Sequence, residues 1–280
     1  MVPPTVTETV NRYLAQVDRL LPGVITGFYL VGSVALGAYR ESRSDIDFVA
    51  VSDRGLSGAE LRRLRLHHAR SGLHTTAVAI RQRRSPLTGT CNGVFIRAED
   101  LSRPVTQITP VASHVAQNFS IGHAGSDVSP VAWKVLAERG LPIRGPAPAS
   151  LSLDPQAELL RSWNLENLAS YWRPWASMVM ERSPFLWFGL RPRWSTAWGV
   201  LGAPRLHHTI ATGEVISKEA AGEYARDVFP PRWHPLIEEA LAYWQGVPYR
   251  HEFSRAQRAR LTSEFVLEVA AAAQELPTPG

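Results

Sequence analysis

The sequence contains very little cysteine and no long apolar run. A single cysteine, Cys91, stands among 280 residues, which excludes an internal disulfide framework. No segment approaches the roughly 20 consecutive apolar residues that a membrane-spanning helix needs. The N-terminal residues MVPP lack the basic region and the apolar core of a secretory signal. These absences predict a cytoplasmic protein that does not bind membranes.

Lysine is also scarce. Of the 30 lysines and arginines only Lys134 and Lys218 are lysines, and the net charge of +5 rests on arginines scattered along the chain. Arginine is dense only at 62–65 and 81–84, which we interpret as a solvated helix face and a loop. Electrostatic steering of a polyanion such as ATP is the alternative interpretation. Because no dense basic stripe is present, nucleic acid is not an expected partner.

The first half of the chain alternates between strand and helix patterns. Apolar, β-branched segments bounded by turn residues are typical of strands, and capping residues before a periodic segment are typical of helix starts. The predicted strands lie at 24–31, 46–51, 75–80 and 93–97, with a short edge strand at 141–143. The predicted helices lie at 33–38, from a capping box at 57–60 to about residue 70, and from Ser129 and Pro130 to Gly140.

The second half has helical patterns only. A proline-rich stretch without periodicity, 144–150, is the best linker candidate. The predicted helices lie at 154–173, with Asp154 and Pro155 as its cap and Pro174 breaking or kinking it, at 194–211, from 217 onwards, at 235–245 and at 254–273. The predicted fold class is therefore α+β. A domain at 1–150, with a mixed β-sheet and flanking helices, precedes an all-α helical bundle at 151–280.

Two acidic residues open the second predicted strand. Residues two apart in a strand point to the same side, so Asp45 and Asp47 present both carboxylates on one face while Ile46 and Phe48 enter the core. Mg²⁺ prefers oxygen ligands and typically takes one or two carboxylates plus the phosphates of a nucleotide. This pair suits an in-line displacement at phosphorus. Asp45 and Asp47 are therefore the predicted catalytic metal ligands.

A glycine and a serine follow the first predicted strand. Gly32 allows the backbone to approach a ligand closely, and Ser33 lies at a predicted helix start. There its hydroxyl and the exposed backbone N–H groups can hold a triphosphate. Gly32 and Ser33 are therefore predicted to bind the nucleotide.

These segments resemble a known family. Residues 31–37 (VGSVALG) and 44–48 (SDIDF) are similar to the signature of the DNA polymerase β-like nucleotidyltransferase superfamily, and residues 204–218 (PRLHHTIATGEVISK) resemble the C-terminal segment of aminoglycoside 3''- and 9-adenylyltransferases. The resemblance implies ATP as co-substrate and Mg²⁺ as cofactor. It also implies that Arg205 and Lys218 reach across a domain cleft to the ATP phosphates. It places an ATP-proximal aromatic at Trp244 or at the adjacent Tyr243.

The sequence departs from the family at its third acid, a glutamate thought to be the general base. One alignment places Asn92 at that position, and another places His74 there. We prefer Asn92, because an acidic pair at 99–100 then also matches the family. Asparagine cannot act as a base, whereas histidine could. Phe119, Arg191 and Ser195 also differ from the family's drug-contacting residues.

The remaining candidates have simpler interpretations. The nine histidines show no ligand spacing, and the adjacent His67 and His68 are expected on different faces of a helix, so zinc is not expected. We interpret the tryptophans of the second half as packing residues, except Trp244. Cys91 is interpreted as a buried thiol.

The sequence thus predicts a monomeric adenylyltransferase that transfers AMP from ATP to a hydroxyl of a small molecule, with an aminoglycoside antibiotic as the leading acceptor. The alternatives are a nucleotide-binding protein whose transferase activity is weak or lost, and a nucleotidyltransferase that acts on RNA or protein.

Overall fold

The computed structural model describes residues 2–82, 89–115, 118–122, 127–181, 192–249 and 253–277. The chain divides into two compact units, Met1–Ala157 and Glu158–Gly280. The first unit combines a six-stranded sheet with helices, whereas the described part of the second unit contains helices and no strand. The predicted α+β fold class is confirmed. None of the described helices is both long and apolar enough to cross a membrane.

The sheet of the first unit is mixed. Its strands are β1 (Ile25–Leu30), β2 (Ile46–Ser52), β3 (Cys91–Arg97), β4 (Ala112–Val115), β5 (Asn118–Ile121) and β6 (Leu141–Arg144). They lie in the order β5-β4-β3-β2-β1-β6, with β2 and β3 parallel and the other neighbours antiparallel. The strands predicted at 24–31, 46–51, 93–97 and 141–143 are confirmed. The short strands β4 and β5 were not predicted.

The described helices of this unit are α1 (Pro4–Leu20), α2 (Gly32–Ala35), α3 (Gly58–Gln82) and α4 (Pro130–Arg139). α4 is confirmed, and the Ser129 hydroxyl accepts the Ala132 N–H at its start. α1 was not predicted. It buries one face on the sheet, where the Tyr13 ring lies 5.2 Å from the Phe48 ring, centroid to centroid. This packing secures the core side of β2.

The strand predicted at 75–80 is wrong. These residues continue α3, which runs for 25 residues from the predicted capping box. The Ser57 N–H donates to Glu60 Oε2 over 2.7 Å, and the Glu60 N–H donates to Ser57 Oγ over 3.3 Å. The β-branched residues at 75–80 favour a strand locally, but that preference is weak. Extending a helix that has already nucleated costs far less than starting a new element.

The second unit is a helical bundle. Its described helices are α5 (Leu160–Asn167), α6 (Arg173–Glu181), α7 (Pro192–Thr212), α8 (Lys218–Val228), α9 (His234–Gln245) and α10 (Arg255–Glu275). The helices predicted at 194–211, 235–245, 254–273 and from 217 are confirmed. A bidentate ion pair, buried in this unit, joins α9 to α10, with Arg258 Nε 2.5 Å from Glu239 Oε1.

The prediction for 154–173 is only partly correct. The Asp154 carboxylate accepts the Gln156 N–H in a turn and does not cap a helix. A 3₁₀ turn follows at Ala157–Leu159, and α5 begins at Leu160. The chain does not break at Pro174. A π-helical turn, Leu168–Trp172, leads directly into α6, so the proline lies at the second residue of that helix. In one continuous α-helix Pro174 would lie in the interior, where an α-helix tolerates proline poorly. The change from α- to π-helical geometry occurs just before this proline.

Candidate active site

Asp45 and Asp47 lie at the start of β2 on the side opposite its core residues. Ile46 and Phe48 are buried, whereas Asp45 and Asp47 are partly exposed, as the strand alternation predicts. The carboxylates therefore share one face at the edge where β2 begins.

Gly32 lies directly against one of these carboxylates. The chain leaves β1 and turns into α2 at this residue, and the Val31 N–H donates to the Asp47 carbonyl over 3.0 Å. Gly32 has φ +57°, and a Cβ atom added there would lie 1.9 Å from Asp47 Oδ2. Only glycine fits, because it tolerates this backbone conformation and leaves room for the carboxylate.

The hydroxyl of Ser33 is buried and has no hydrogen-bond partner among the described residues. An unpaired buried hydroxyl is costly, and such an atom calls for a specific explanation. Its position, one residue from Gly32, fits the predicted role of binding an oxygen of the nucleotide.

Asn92 is the third residue at this edge. β2 and β3 are parallel and pair Asp47 with Asn92. The Asn92 Nδ2 amide donates to Asp45 Oδ2 over 2.6 Å, and its buried Oδ1 has no partner among the described residues. An ionised carboxylate can only accept hydrogen bonds, which fixes the orientation of the amide.

The alternative alignment, which places His74 at that position, depends on a strand that does not form. His74 lies in α3, and the structure does not describe its side chain. Asn92 is thus the candidate that the structure brings to the acidic pair.

The carboxylates affect nearby ionisable groups. Burial, with a contribution from Asp47, raises the pKa of the Cys91 thiol to about 12. Burial, followed by Glu41 and Asp45, raises the pKa of Tyr39. Cys91 is a buried thiol, as the sequence predicted.

The donor set fits Mg²⁺ better than zinc. Two carboxylates and a neighbouring amide are hard oxygen donors, and Mg²⁺ typically combines one or two such carboxylates with nucleotide phosphates. In the part of the chain that the structure describes, no three histidine, cysteine, aspartate or glutamate side chains group as a metal site. Asp45 and Asp47 are the residues that would hold the ion.

The second unit brings together the other predicted nucleotide-binding residues. Arg205, on α7, donates through Nε to the Ile216 carbonyl over 3.0 Å. Two residues further on, Lys218 begins α8. The Lys218 Nζ atom lies 4.0 Å from the ring centroid of the buried Trp244. Arg205, Lys218 and Trp244 therefore belong to one local cluster.

The cluster has one further member, Trp198, that was not predicted from the sequence. Trp198, interpreted as a packing residue, has its ring centroid 5.0 Å from the Lys218 Nζ atom. Trp198 lies seven residues before Arg205 on α7, so both lie on one side of the helix. The seven-residue spacing between Trp198 and Arg205 was the sequence pattern that could have identified Trp198 as a member of the cluster.

Phe119, Arg191 and Ser195 are the positions at which the sequence differs from the family's drug-contacting residues. Phe119 contacts the His68 ring, with centroids 5.4 Å apart, and the Arg65 guanidinium. The Ser195 hydroxyl is buried without a partner among the described residues, and Arg191 lies outside them. In the acidic pair at 99–100, Asp100 is buried and ion-paired with two arginines, Arg97 and Arg103. These contacts identify no additional base.

A histidine cluster lies in the core of the first unit. The rings of His68 and His114 are 4.0 Å apart, and the Tyr13 hydroxyl hydrogen-bonds His68 Nε2. His67 and His68 were expected on different faces, yet both rings approach Tyr13, at 6.2 and 5.7 Å. Burial, reinforced by the neighbouring histidines, lowers the pKa of His68 to about 2. The cluster is therefore a neutral part of the core.

Family comparisons place one match in each half of the chain. Residues 10–78 match the family described as "Nucleotidyltransferase domain", and this stretch contains Gly32, Ser33, Asp45 and Asp47. Residues 190–271 match the family described as "Aminoglycoside adenylyltransferase, C-terminal domain", a stretch that contains Arg205, Lys218 and Trp244. Asn92 lies outside both matches. Comparison with curated proteins gives no significant match.

The fold is similar to that of a solved enzyme, spectinomycin adenyltransferase AAD(9) from Enterococcus faecialis, determined with ATP and spectinomycin. The TM-score is 0.60 at 14% sequence identity, over 95% of this chain and 99% of the other. At that identity the likeness concerns the fold alone. The first half of the chain thus contains a match to a nucleotidyltransferase domain and the second half a match to the C-terminal domain of aminoglycoside adenylyltransferases, and the fold is that of the solved adenyltransferase.

Proposed function

We propose that this protein is a Mg²⁺-dependent adenylyltransferase that transfers AMP from ATP to a hydroxyl group of a small molecule. The observation that carries the proposal is the arrangement of Gly32, Asp47, Asp45 and Asn92. The glycine backbone lies against one carboxylate, and the amide holds the other. A fold that merely placed two acids at a strand end would not need this close fit.

In the proposal Asp45 and Asp47 hold Mg²⁺ and Ser33 donates its hydroxyl to a phosphate oxygen. Bound Mg²⁺ supplies charge neutralisation for the triphosphate. Because Gly32 has no side chain, the Asp47 carboxylate can lie close to the turn that carries Ser33. The proposed metal ligand and the proposed phosphate ligand therefore lie next to each other.

We assign Arg205 and Lys218 to the ATP phosphates and Trp244 to the nucleotide site as an aromatic neighbour. Support comes from the family match that spans them and from their local cluster. The assignment requires both proposed domains, 1–150 and 151–280, for nucleotide binding. Arg205→Ala and Lys218→Ala should each weaken ATP binding measured by calorimetry, and unchanged affinity in both variants would remove the helical domain from the site.

The chemical step is a substitution at the α-phosphorus of ATP. The acceptor oxygen bonds to phosphorus, the bond to pyrophosphate breaks, and the hydroxyl proton leaves to solvent. Asn92 cannot take that proton, and its amide instead orients Asp45. General acid–base help is typically worth about 10²–10⁴-fold, so transfer remains feasible but slower without it.

Asp47→Asn tests this mechanism. The substitution removes a charged metal ligand, which should cost several kcal/mol of transition-state stabilisation. ATP-dependent pyrophosphate release should therefore fall by about a thousandfold. Asp53→Asn is the matched control, because Asp53 is an exposed acid just beyond the other end of β2. Pyrophosphate release that survives Asp47→Asn would refute the proposed role of the acidic pair.

We propose an aminoglycoside-type antibiotic as acceptor, which would make this an antibiotic-resistance enzyme. The C-terminal domain match and the fold shared with a spectinomycin adenyltransferase support this choice. The test is mass spectrometry of streptomycin and spectinomycin incubated with protein, Mg²⁺ and either ATP or GTP. An AMP adduct on either drug supports the proposal. If a wider screen finds AMP adducts only on other small molecules, the transferase activity is supported and the aminoglycoside acceptor is refuted.

Asn92 favours a second candidate, a nucleotide-binding protein whose transferase activity is weak or lost. Calorimetric ATP binding without an adduct on any acceptor would support it. An RNA or protein acceptor is a third outcome, and RNA binding that weakens steeply with salt would favour it. We further propose a cytoplasmic monomer, which light scattering of the purified protein tests for oligomeric state.

A further inference from the structure

We propose that Trp198 and Trp244 form an indole clamp that holds the Lys218 ammonium, and that Trp198 is a positioning residue for nucleotide binding. The second part rests on the proposed function, because it takes Lys218 as a phosphate ligand. The clamp itself is a property of the helical unit alone.

The geometry of the indole clamp is that of a double cation–π contact. The Lys218 Nζ atom lies 4.0 Å from the Trp244 ring centroid and 5.0 Å from the Trp198 ring centroid. Both distances fall within the approximately 6 Å over which an indole face attracts a cation, and tryptophan is the strongest of the aromatic partners. Two ring faces therefore restrict where the ammonium can lie.

Both rings are held by contacts of their own. Trp198 donates through Nε1 to the Tyr171 hydroxyl over 3.1 Å, and its ring stacks on Trp194 with an interplanar angle of 11°. Trp244 is 7% exposed and belongs to the hydrophobic core of the unit. The clamp is therefore built into the bundle and does not depend on Lys218 for its shape.

The backbone that carries Lys218 is also fixed. The Ser217 hydroxyl accepts the Ala220 N–H and caps α8. The preceding turn is tied to α7, because the Ile216 carbonyl accepts from Arg205 and the Glu214 carbonyl accepts from Thr209 over 2.9 Å. Both ends of the Lys218 side chain are thus restrained.

Restraint of the Lys218 side chain by the two indoles favours phosphate binding. A lysine side chain loses much rotamer freedom when it binds a phosphate, and that loss weakens binding. If the two indoles already confine the ammonium, less freedom is lost when the anion arrives. Trp198 thus acts on the nucleotide through Lys218 without touching it.

The test uses the rarity of lysine in this chain. Lys134 and Lys218 are its only lysines, so amine-acetylation rates of both can be followed in one mass-spectrometric experiment, with Lys134 as internal reference. Trp198→Leu removes one clamp face, and Trp198→Phe keeps an aromatic face. Trp175→Phe is the matched control, because the Trp175 ring meets the Trp172 ring edge to face, with centroids 5.7 Å apart, and packs against the core of the same unit. Thermal unfolding shows that each variant is folded.

In nucleotide-free protein, Trp198→Leu should raise the acetylation rate of Lys218 relative to Lys134, whereas Trp198→Phe and Trp175→Phe should change it little. Trp198→Leu should also weaken ATP binding by up to about tenfold, because the unconfined Lys218 side chain then loses more rotamer freedom when it binds phosphate. Trp198→Phe should restore most of the affinity if the ring face is what matters.

Two results would overturn the inference, and they differ from failure of the proposed function. Unchanged Lys218 acetylation in folded Trp198→Leu refutes the clamp. Faster acetylation with unchanged ATP affinity refutes the positioning role. If wild-type protein binds no ATP, and ATP does not protect Lys218 from acetylation, the proposed function fails together with the positioning role. The acetylation rates in nucleotide-free protein still decide whether the clamp exists.

Discussion

Replacing Gly32 by alanine perturbs the acidic site with a single methyl group. The Cβ atom would lie 1.9 Å from Asp47 Oδ2, whereas ordinary contacts begin near 3.4 Å. Either the carboxylate or the turn must therefore shift by more than 1 Å. A misplacement of about 1 Å at a catalytic group can cost about 100-fold in rate.

The backbone adds a second effect, which a matched control separates from the first. Gly32 and Gly37 both have positive φ, +57° and +69°, but a Cβ at Gly37 would meet nothing within 4 Å. Both alanine variants should lose roughly 1–2 kcal/mol of stability from left-handed backbone strain. Gly32→Ala alone should also displace Asp47.

The assay is ATP-dependent pyrophosphate release in the presence of the acceptor found by screening, together with thermal unfolding of both variants. We expect the activity of Gly32→Ala to fall by about 100-fold relative to Gly37→Ala at similar stability. Activity of Gly32→Ala within about threefold of Gly37→Ala would refute the argument that the glycine makes room for the carboxylate.

Three further perturbations test the site and the core. Asn92→Ala removes an amide that donates to a carboxylate, a hydrogen bond worth about 1.5–3 kcal/mol, and should lower pyrophosphate release by about tenfold or more. Full activity would contradict the role of Asn92. Arg258→Met leaves a buried glutamate without its partner and should cost about 3–5 kcal/mol in urea unfolding, whereas Met at the exposed Arg260 should cost less than about 1 kcal/mol. Equal losses would contradict the assignment. Burial holds the folded-state pKa of His68 at about 2, whereas an unfolded histidine titrates near about 6.5. The unfolded state then binds the extra proton, so stability falls as pH drops below about 6.5, by up to about 1.4 kcal/mol per pH unit. His68→Phe should flatten this dependence in urea titrations between pH 7 and 4, and parallel curves would refute it.

Short-range patterns predicted much of the local structure around the site. Asp45 and Asp47 share a face because strand alternation depends only on neighbouring residues. The caps at Ser129 and Ser217 were predictable for the same reason, since a capping side chain bonds to a backbone N–H within the first turn.

Longer-range preferences were not predictable in the same way. Residues 75–80 have strand composition, yet they extend α3, because a growing helix overrides weak local propensity. The strands β4 and β5 have only four residues each, so their sequences carry little strand preference. They form because β4 pairs with β3 and β5 pairs with β4.

The sequence by itself determined the α+β class and the residue types available for metal and phosphate, because periodicity, caps and short motifs are local. Only the tertiary structure decided which distant side chains meet. Asn92 reaches Asp45 across 47 residues because β2 and β3 pair in parallel in one particular register. Trp198 and Trp244 meet Lys218 because helix packing brings α7, α8 and α9 together, and neither register nor packing follows from local propensity.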